Sequence, residues 1–176
     1  MGAEQHGHME KIGYELYSKL LKEELTGEVQ TAPELDIRVT AYIPDAYSES
    51  NVARMDAYKE IAEISSLDAE KEFRSAIEDV YGRLPEEADS LIDIAVVKML
   101  AMKKSVKTVV VTRSETKLVF ADYKAFADDG LSRAMDDFDG QVKVSMAGET
   151  AIQFAVNGQT NSQMLKVMRS FLTASI

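Results

Sequence analysis

Two histidines, His6 and His8, are the clearest candidates for metal binding or acid–base chemistry in this sequence. Their i, i+2 spacing would let both imidazoles share a metal ion on a strand, but only Glu4 and Glu10 stand nearby as further ligands. The chain has no cysteine, which excludes thiolate zinc sites, iron–sulfur clusters and cysteine nucleophiles and is typical of a reducing compartment. We therefore expect a solvated or partner-facing terminus here and no metal site.

An acidic run that ends at Gly140 invites comparison with a calcium-binding loop. If Gly140 is aligned with the glycine of an EF-hand loop, Met135 takes the first ligand position and Met146 the twelfth, where a glutamate is required. Both anchoring ligands are therefore missing. The run predicts the end of a helix with a solvated acidic face.

Signatures of catalysis are also absent from the sequence. It contains no G-x-x-x-x-G-K-[ST], no G-x-S-x-G and no H-E-x-x-H, and no pair of its many carboxylates is singled out for general acid–base work. We predict no catalytic residues and no cofactor in this chain. An interaction or regulatory module fits these features better than an enzyme.

The charge balance narrows the range of partners. Lys and Arg total 20 against 30 Asp and Glu, a net charge of −10, which disfavours binding to phosphate backbones and favours a basic protein surface. The nearest approach to a basic patch comprises Lys98, Lys103, Lys104 and Lys107, which we interpret as the solvated face and end of a helix.

Length and hydropathy favour one or two small globular domains. The chain has 176 residues, of which 45% are hydrophobic. The longest apolar runs, such as 94–97, are far shorter than the roughly 18 residues of a membrane-spanning helix, and no secretory signal is recognised. We expect a soluble, cytoplasmic domain without a membrane partner.

Apolar periodicity predicts helices in the first two thirds of the chain, at 9–25, 51–64, 67–81 and 86–104. We expect Asp68 to cap the third of these and Gly82 to end it. Residues 36–43 alternate as a strand should.

The last third is rich in strand patterns, at 106–112 and 117–121 and in a hairpin near 142–156, and ends in a helix that we expect Asn161 to cap. The fold class is therefore α+β, with a helical block of about four helices, a small and mostly antiparallel sheet, and a C-terminal helix.

Several ordered motifs in the first hundred residues resemble the C-terminal region of the bacterial transcription-repair coupling factor (Mfd). They are the opening 2–9 with Gly13-Tyr14-Glu15-Leu16-Tyr17, the segment Tyr42-Ile43-Pro44-Asp45-Ala46-Tyr47, the set Arg54, Met55, Tyr58, Lys59 and Ile61, and Asp79-Val80-Tyr81-Gly82-Arg83-Leu84-Pro85. The β-rich remainder fits the family by position.

This resemblance implies a fragment of a much longer protein, an ATP-dependent DNA translocase that removes stalled RNA polymerase and recruits nucleotide excision repair through UvrA. It divides the chain into 1–28, the end of the translocation motif with a linker, and 29–176, the C-terminal regulatory domain. That domain is expected to be autoinhibitory: it packs on the UvrB-like module of its own parent chain and covers the UvrA-binding face until polymerase is engaged.

The resemblance also implies residue roles. Asp79 matches a family acid that meets arginine on the UvrB-like module, and Glu78 stands beside it as a local substitute for a second acid, because Ala76 occupies that position. Val80 replaces a family arginine. Gln5 matches the glutamine that couples the translocation motif to the helicase lobes.

Two alternatives remain open at this point. Asp79 could be a helix-end charge with no partner. The whole chain could instead be a free-standing small-ligand-binding or enzymatic α+β domain, which would require a concave apolar pocket with convergent polar groups.

Overall fold

A computed structural model describes residues 32–176, without the side chain of Ala127. The predicted helix at 9–25 lies outside the described residues, as do His6, His8, Gln5 and the whole segment 1–28. The described residues group into two compact units, one of residues 40–96 and one of residues 32–39 and 97–176.

The first unit is helical. Helix α1 (Asn51–Ala62) and helix α2 (Leu67–Tyr81) are followed by helix α3 (Glu86–Lys103), which begins in this unit and ends in the second. Ser66 caps the start of helix α2, and its hydroxyl accepts the N–H of Ala69. Gly82 caps its end, with a φ of 81° that suits glycine. The prediction of Asp68 as the cap was wrong. Asp68 lies inside the first turn, and the hydroxyl that accepts the Ala69 N–H belongs to Ser66, two residues earlier.

Helix α3 is buried on all sides along most of its length. Every residue from 90 to 101 is buried, including Lys98. The interpretation of Lys98 as part of a solvated helix face was therefore wrong, because this segment has no solvated face.

The second unit is built on a five-stranded sheet in the order β1-β2-β3-β5-β4. Its strands are β1 (Glu34–Ile37), β2 (Val106–Val111), β3 (Thr116–Phe120), β4 (Val142–Ser145) and β5 (Ala151–Phe154). The pair β1–β2 is parallel and all other pairs are antiparallel. Within residues 32–176, this mixed sheet together with five α-helices confirms the α+β class and the mostly antiparallel sheet.

The first strand is shorter than the alternating pattern of 36–43 predicts. Its pairing with β2 ends at Ile37 opposite Val111, the last residue of β2, so further residues have no partner strand. Beyond it the backbone bonds to other groups: Tyr42 N–H donates to the Glu87 carbonyl at 3.2 Å and Ile43 N–H donates to the Tyr58 hydroxyl at 2.9 Å. Ala41 and Ile43 are therefore buried as the alternating pattern predicts, although this segment is not paired with a neighbouring strand.

Two further helices complete this unit. A 3-10 turn (Tyr123–Ala127) leads into helix α4 (Asp129–Asp137), and helix α5 (Asn161–Ala174) follows the hairpin of β4 and β5. Thr160 caps α5, in a capping box with Gln163. Asn161 was wrongly predicted as the cap, and its side-chain amide instead donates to the Arg38 carbonyl at 2.6 Å.

Candidate functional site

The exposed C-terminal end of helix α2 carries both acids that the sequence singled out. Glu78 and Asp79 are exposed on the last turn, and the next two residues are apolar or aromatic: Val80 is 70% exposed and Tyr81 is 40% exposed. We call Glu78, Asp79, Val80 and Tyr81 the acidic corner. It presents two negative charges beside an uncovered apolar surface.

The backbone of this corner is fixed by contacts from outside helix α2. The Tyr47 hydroxyl donates to the Gly82 carbonyl at 2.8 Å, and the Tyr47 and Tyr81 rings lie 5.6 Å apart at an interplanar angle of 47°. The Glu78 carboxylate accepts the N–H of Leu84 at 3.1 Å. These contacts tie the loop that follows the helix back to the helix itself.

Burial and charge both act on Tyr47. Partial burial raises the pKa of its hydroxyl, and the nearby Glu78 carboxylate and Tyr81 add to that rise. Tyr47 therefore remains a neutral hydrogen-bond donor to Gly82 at physiological pH.

The charges of the corner oppose the helix on which they sit. The C-terminal end of a helix carries a partial negative charge, which favours cations, yet α2 has no basic residue in its last turn and has Glu78 and Asp79 there instead. Local rules of this kind are most often broken where a residue serves binding and not folding. The position of the two acids thus favours a role towards a partner.

The two acids differ in their surroundings. Glu78 is held by Leu84, whereas Asp79 forms no hydrogen bond or ion pair with any residue that the structure describes. Adjacent residues on a helix point about 100° apart, so the two carboxylates face different directions. Asp79 is the more available of the two for an external cation.

Sequence reasoning missed the contribution of Tyr47. Its hydrogen bond and ring contact join positions 34 or more residues apart, and only the tertiary structure reveals them. The sequence did mark Tyr47 as the last residue of the 42–47 motif, but the motif assigned it no function.

A second charged cluster of this unit lies largely in the interior. The Arg74 guanidinium contacts Glu70 at 2.6 Å, Asp89 at 2.5 Å and Asp93 at 3.2 Å. Burial works to lower the pKa of Arg74, but hydrogen bonds to Glu70 and Asp89 outweigh it and raise the pKa. This cluster joins α2 to α3 and has a structural role.

Neither a metal centre nor a membrane span emerges from the described part of the chain. Between residues 32 and 176 no three His, Cys, Asp or Glu side chains are grouped so as to hold a metal ion, and the run at 135–140 forms the end of α4 and a turn at Gly140. No helix in that range is both long enough and apolar enough to cross a bilayer.

Comparison with known families identifies the domain. The family model described as the TRCF domain matches residues 37–130, which include the whole acidic corner and Tyr47. The chain belongs to the TRCF domain family. This confirms the resemblance to transcription-repair coupling factors.

Curated relatives of this TRCF domain are much longer proteins. The transcription-repair-coupling factor of Bacillus subtilis is 25% identical over 182 residues, covering 98% of this chain and 16% of that protein. Those of Rickettsia bellii and Borreliella burgdorferi are 30% and 33% identical over 61% and 57% of this chain, which corresponds to 10% of each relative.

The fold has a counterpart among solved structures. A crystal structure of the C-terminal domain of transcription-repair coupling factor superposes with a TM-score of 0.71 at 20% identity, covering 82% of this chain and 91% of that one. The share of this chain that superposes is larger than the share spanned by residues 37–130, so the structural match is not confined to that segment.

Proposed function

We propose that this TRCF domain is the autoinhibitory C-terminal domain of a longer transcription-repair coupling factor. It docks on the UvrB-like module of the same protein and hides the UvrA-binding surface until stalled RNA polymerase is engaged. The parent would be an ATP-dependent DNA translocase acting in nucleotide excision repair in the cytoplasm, and residues 1–28, with Gln5, would belong to its translocation motif. The domain itself would need no cofactor and perform no catalysis.

The observation that supports this proposal is the acidic corner. A net charge of −10 and two exposed carboxylates at an unfavourable helix end suit a basic partner surface. The relatives are several times longer than this chain, which leaves room for that partner within the same protein.

The contact would be polar and reversible. Asp79 would meet a guanidinium, while Glu78 would contribute charge and keep the loop at Leu84 in place. Val80 and Tyr81 would supply apolar area at the centre of the contact. An interface of this kind can open when a competing partner binds, as an autoinhibitory contact requires.

Calorimetric titration of the domain into the separate UvrB-like module tests the proposal. We expect weak binding that falls as salt is raised and that UvrA displaces. In the full-length parent, Glu78→Gln with Asp79→Asn should raise both ATPase activity and UvrA binding.

A matched control is available on helix α4. Asp136 and Asp137 are also consecutive exposed acids at the end of a helix, so Asp136→Asn with Asp137→Asn removes the same charge elsewhere. The proposal requires the first double variant to release the parent and the second to leave it repressed. Equal effects would mean that total charge, and not the acidic corner, controls the parent.

A further inference from the structure

Strand β4 is an open edge of the sheet. It pairs with β5 on one side, and no other strand of the described residues lies on its outer side. Edge strands are commonly protected from pairing with another chain by short length, by charged side chains, by proline, by a bulge or by a charge on the core face. Strand β4 is short and carries Lys143, but it has no proline, no bulge in its pairing with β5 and no charge on its core face.

The core face of β4 is apolar and poorly covered. Val144 lies opposite Ile152, which lies opposite Leu118, and side chains opposite each other share one face of a sheet. Ile152 and Leu118 are fully buried, and Phe154 on the same face meets Phe171 of helix α5 at 5.3 Å between ring centroids. Helix α5 thus covers Phe154 of β5, whereas Val144 of the edge strand β4 is only partly covered.

The side chains at the edge are exposed as a result. Val144 is 47% exposed and Met146, two residues on, is 65% exposed. Lys143 lies opposite Gln153 on the other face, so its charge does not guard the apolar row.

The backbone groups of Val144 point away from the sheet. Ala155 N–H donates to the Gln141 carbonyl, which makes Gln141–Ala155 a hydrogen-bonded pair in the ladder. Such pairs alternate along an antiparallel ladder, so Lys143–Gln153 is hydrogen-bonded and Val144–Ile152 is not. The N–H and C=O of Val144 are therefore directed to the open side.

We propose that β4 pairs with β4 of a second copy of this chain, antiparallel and centred on Val144, to form a weak homodimer with one continuous sheet. In this register Val144 meets Val144 of the second copy, Val142 meets Met146, and Lys143 meets Ser145. Apolar residues face apolar ones on the core face, and no two like charges lie directly opposite each other.

The sequence of β4 is thus complementary to itself. The outward N–H and C=O groups of Val144 would exchange hydrogen bonds with those of its counterpart. Because both chains of this pairing present the same alternation of apolar and polar residues, each face of the joined sheet stays uniform, which favours a second copy as the occupant. A four-residue strand buries little area, below the roughly 1,200 Å² of a standard interface, so the dimer should be weak.

Sedimentation velocity of the 176-residue chain tests the proposal, from about 10 µM to about 1 mM, where weak dimers become populated. We expect a monomer–dimer equilibrium that strengthens as salt is raised from about 0.1 M to about 0.5 M, because salt screens the repulsion between two chains of charge −10. Docking through the acidic corner should show the opposite salt dependence. A chain that stays monomeric over the whole range would overturn the proposal.

Val144→Lys should raise the dissociation constant at least about tenfold, because it sets two like charges opposite each other across the two-fold axis. Val52→Lys is the matched control: Val52 is 71% exposed on helix α1, so the same change there should leave the dimer intact. Equal effects of the two variants would contradict the β4 interface.

Cysteine cross-linking tests the register independently, since the chain contains no cysteine of its own. Paired Cα atoms in a hydrogen-bonded pair lie about 5.5 Å apart, within disulfide range, so Val144→Cys should form a covalent dimer on oxidation. Lys143→Cys would face Ser145 of the second copy and should cross-link poorly. Equal cross-linking of both variants would rule out this register.

Hydrogen exchange distinguishes a second copy from any other cover of the edge. The Val144 amide should exchange rapidly at low concentration and become protected as concentration rises, while the Lys143 amide, bonded to Gln153, is protected throughout. Protection of Val144 that does not depend on concentration would mean that another part of the chain covers β4, which would overturn the proposal.

Discussion

The guanidinium of Arg74 on helix α2 lies 3.2 Å from the buried carboxylate of Asp93 on helix α3. Together with Asp89 and Glu70, this places several carboxylates around one cation at the contact of the two helices. Because α2 ends in the acidic corner, the position of that corner relative to α3 depends on this cluster. The cluster supports the proposed binding surface without being part of it.

Removing the Arg74 guanidinium should strongly lower the free energy of unfolding of the domain. Arg74→Met removes the guanidinium that the buried Glu70 and Asp93 carboxylates contact, and loss of one partner of a buried ion pair costs up to about 3–5 kcal/mol. Urea unfolding followed by circular dichroism measures the loss. Arg38→Met is the control, since Arg38 pairs with Asp36 at the surface, where ion pairs contribute about 0–1 kcal/mol. Similar losses in both variants would show that the cluster does not stabilise the fold.

Substitutions of Asp79 and Glu78 should differ in their effect on the stability of the domain. Asp79→Asn removes a charge that opposes the helix dipole and has no partner among the described residues, so stability should stay within about 0.5 kcal/mol or rise slightly. Glu78→Ala also loses the acceptor for Leu84 N–H and should cost about 1 kcal/mol. Thermal unfolding measures both effects. A larger loss for Asp79→Asn than for Glu78→Ala would reverse the assigned roles.

Periodicity predicted much of the fold because long apolar repeats leave few alternatives. Helix α2 runs from Leu67 to Tyr81 as expected, Gly82 ends it, and the hairpin of β4 and β5 forms where residues alternate. Patterns of this kind depend on neighbours a few residues apart, which a sequence displays directly. Glu78 and Asp79 were singled out by the family resemblance, and both lie exposed on the last turn of helix α2.

The errors arose where distant partners decide the outcome. Strand β1 stops where β2 stops, and nothing within 36–43 reveals the end of its partner. Lys98 is buried although its residue type favours the surface, because helix α3 is enclosed on all sides. At helix starts, Ser66 and Thr160 stand beside other good capping residues, and residue type alone does not choose between neighbours.

Acidification should remove a contribution of Asp128 to stability. A hydrogen bond from Lys104 lowers the pKa of this carboxyl, outweighing burial, and the backbone N–H of Leu131 lowers it further. A lowered folded-state pKa stabilises the fold above the ordinary value of 3.8, and this stabilisation is lost as the pH falls through the folded-state pKa.

Asp128→Asn tests this linkage because asparagine still caps helix α4. It should be less stable than the wild type by up to about 1 kcal/mol near neutral pH, and the difference should narrow at about pH 3, as measured by urea unfolding at both pH values. Asp128→Ala loses the cap as well and should cost about 1 kcal/mol more. A deficit of Asp128→Asn that stays constant with pH would contradict the role of the Lys104 pair.

Gly130 should be intolerant of a side chain because helix α5 ends against it. A Cβ at this position would lie 1.9 Å from the carbonyl oxygen of Ser175, so either α4 or the chain after α5 must move. Glycine to alanine within a helix normally stabilises by up to about 1 kcal/mol, but overpacking of this kind costs about 1–3 kcal/mol, and we expect a net loss in Gly130→Ala. The loss should shrink in a chain that lacks Ser175 and Ile176, compared by thermal unfolding with the same truncation carrying Gly130. If truncation does not relieve the loss, the contact with Ser175 is not its cause.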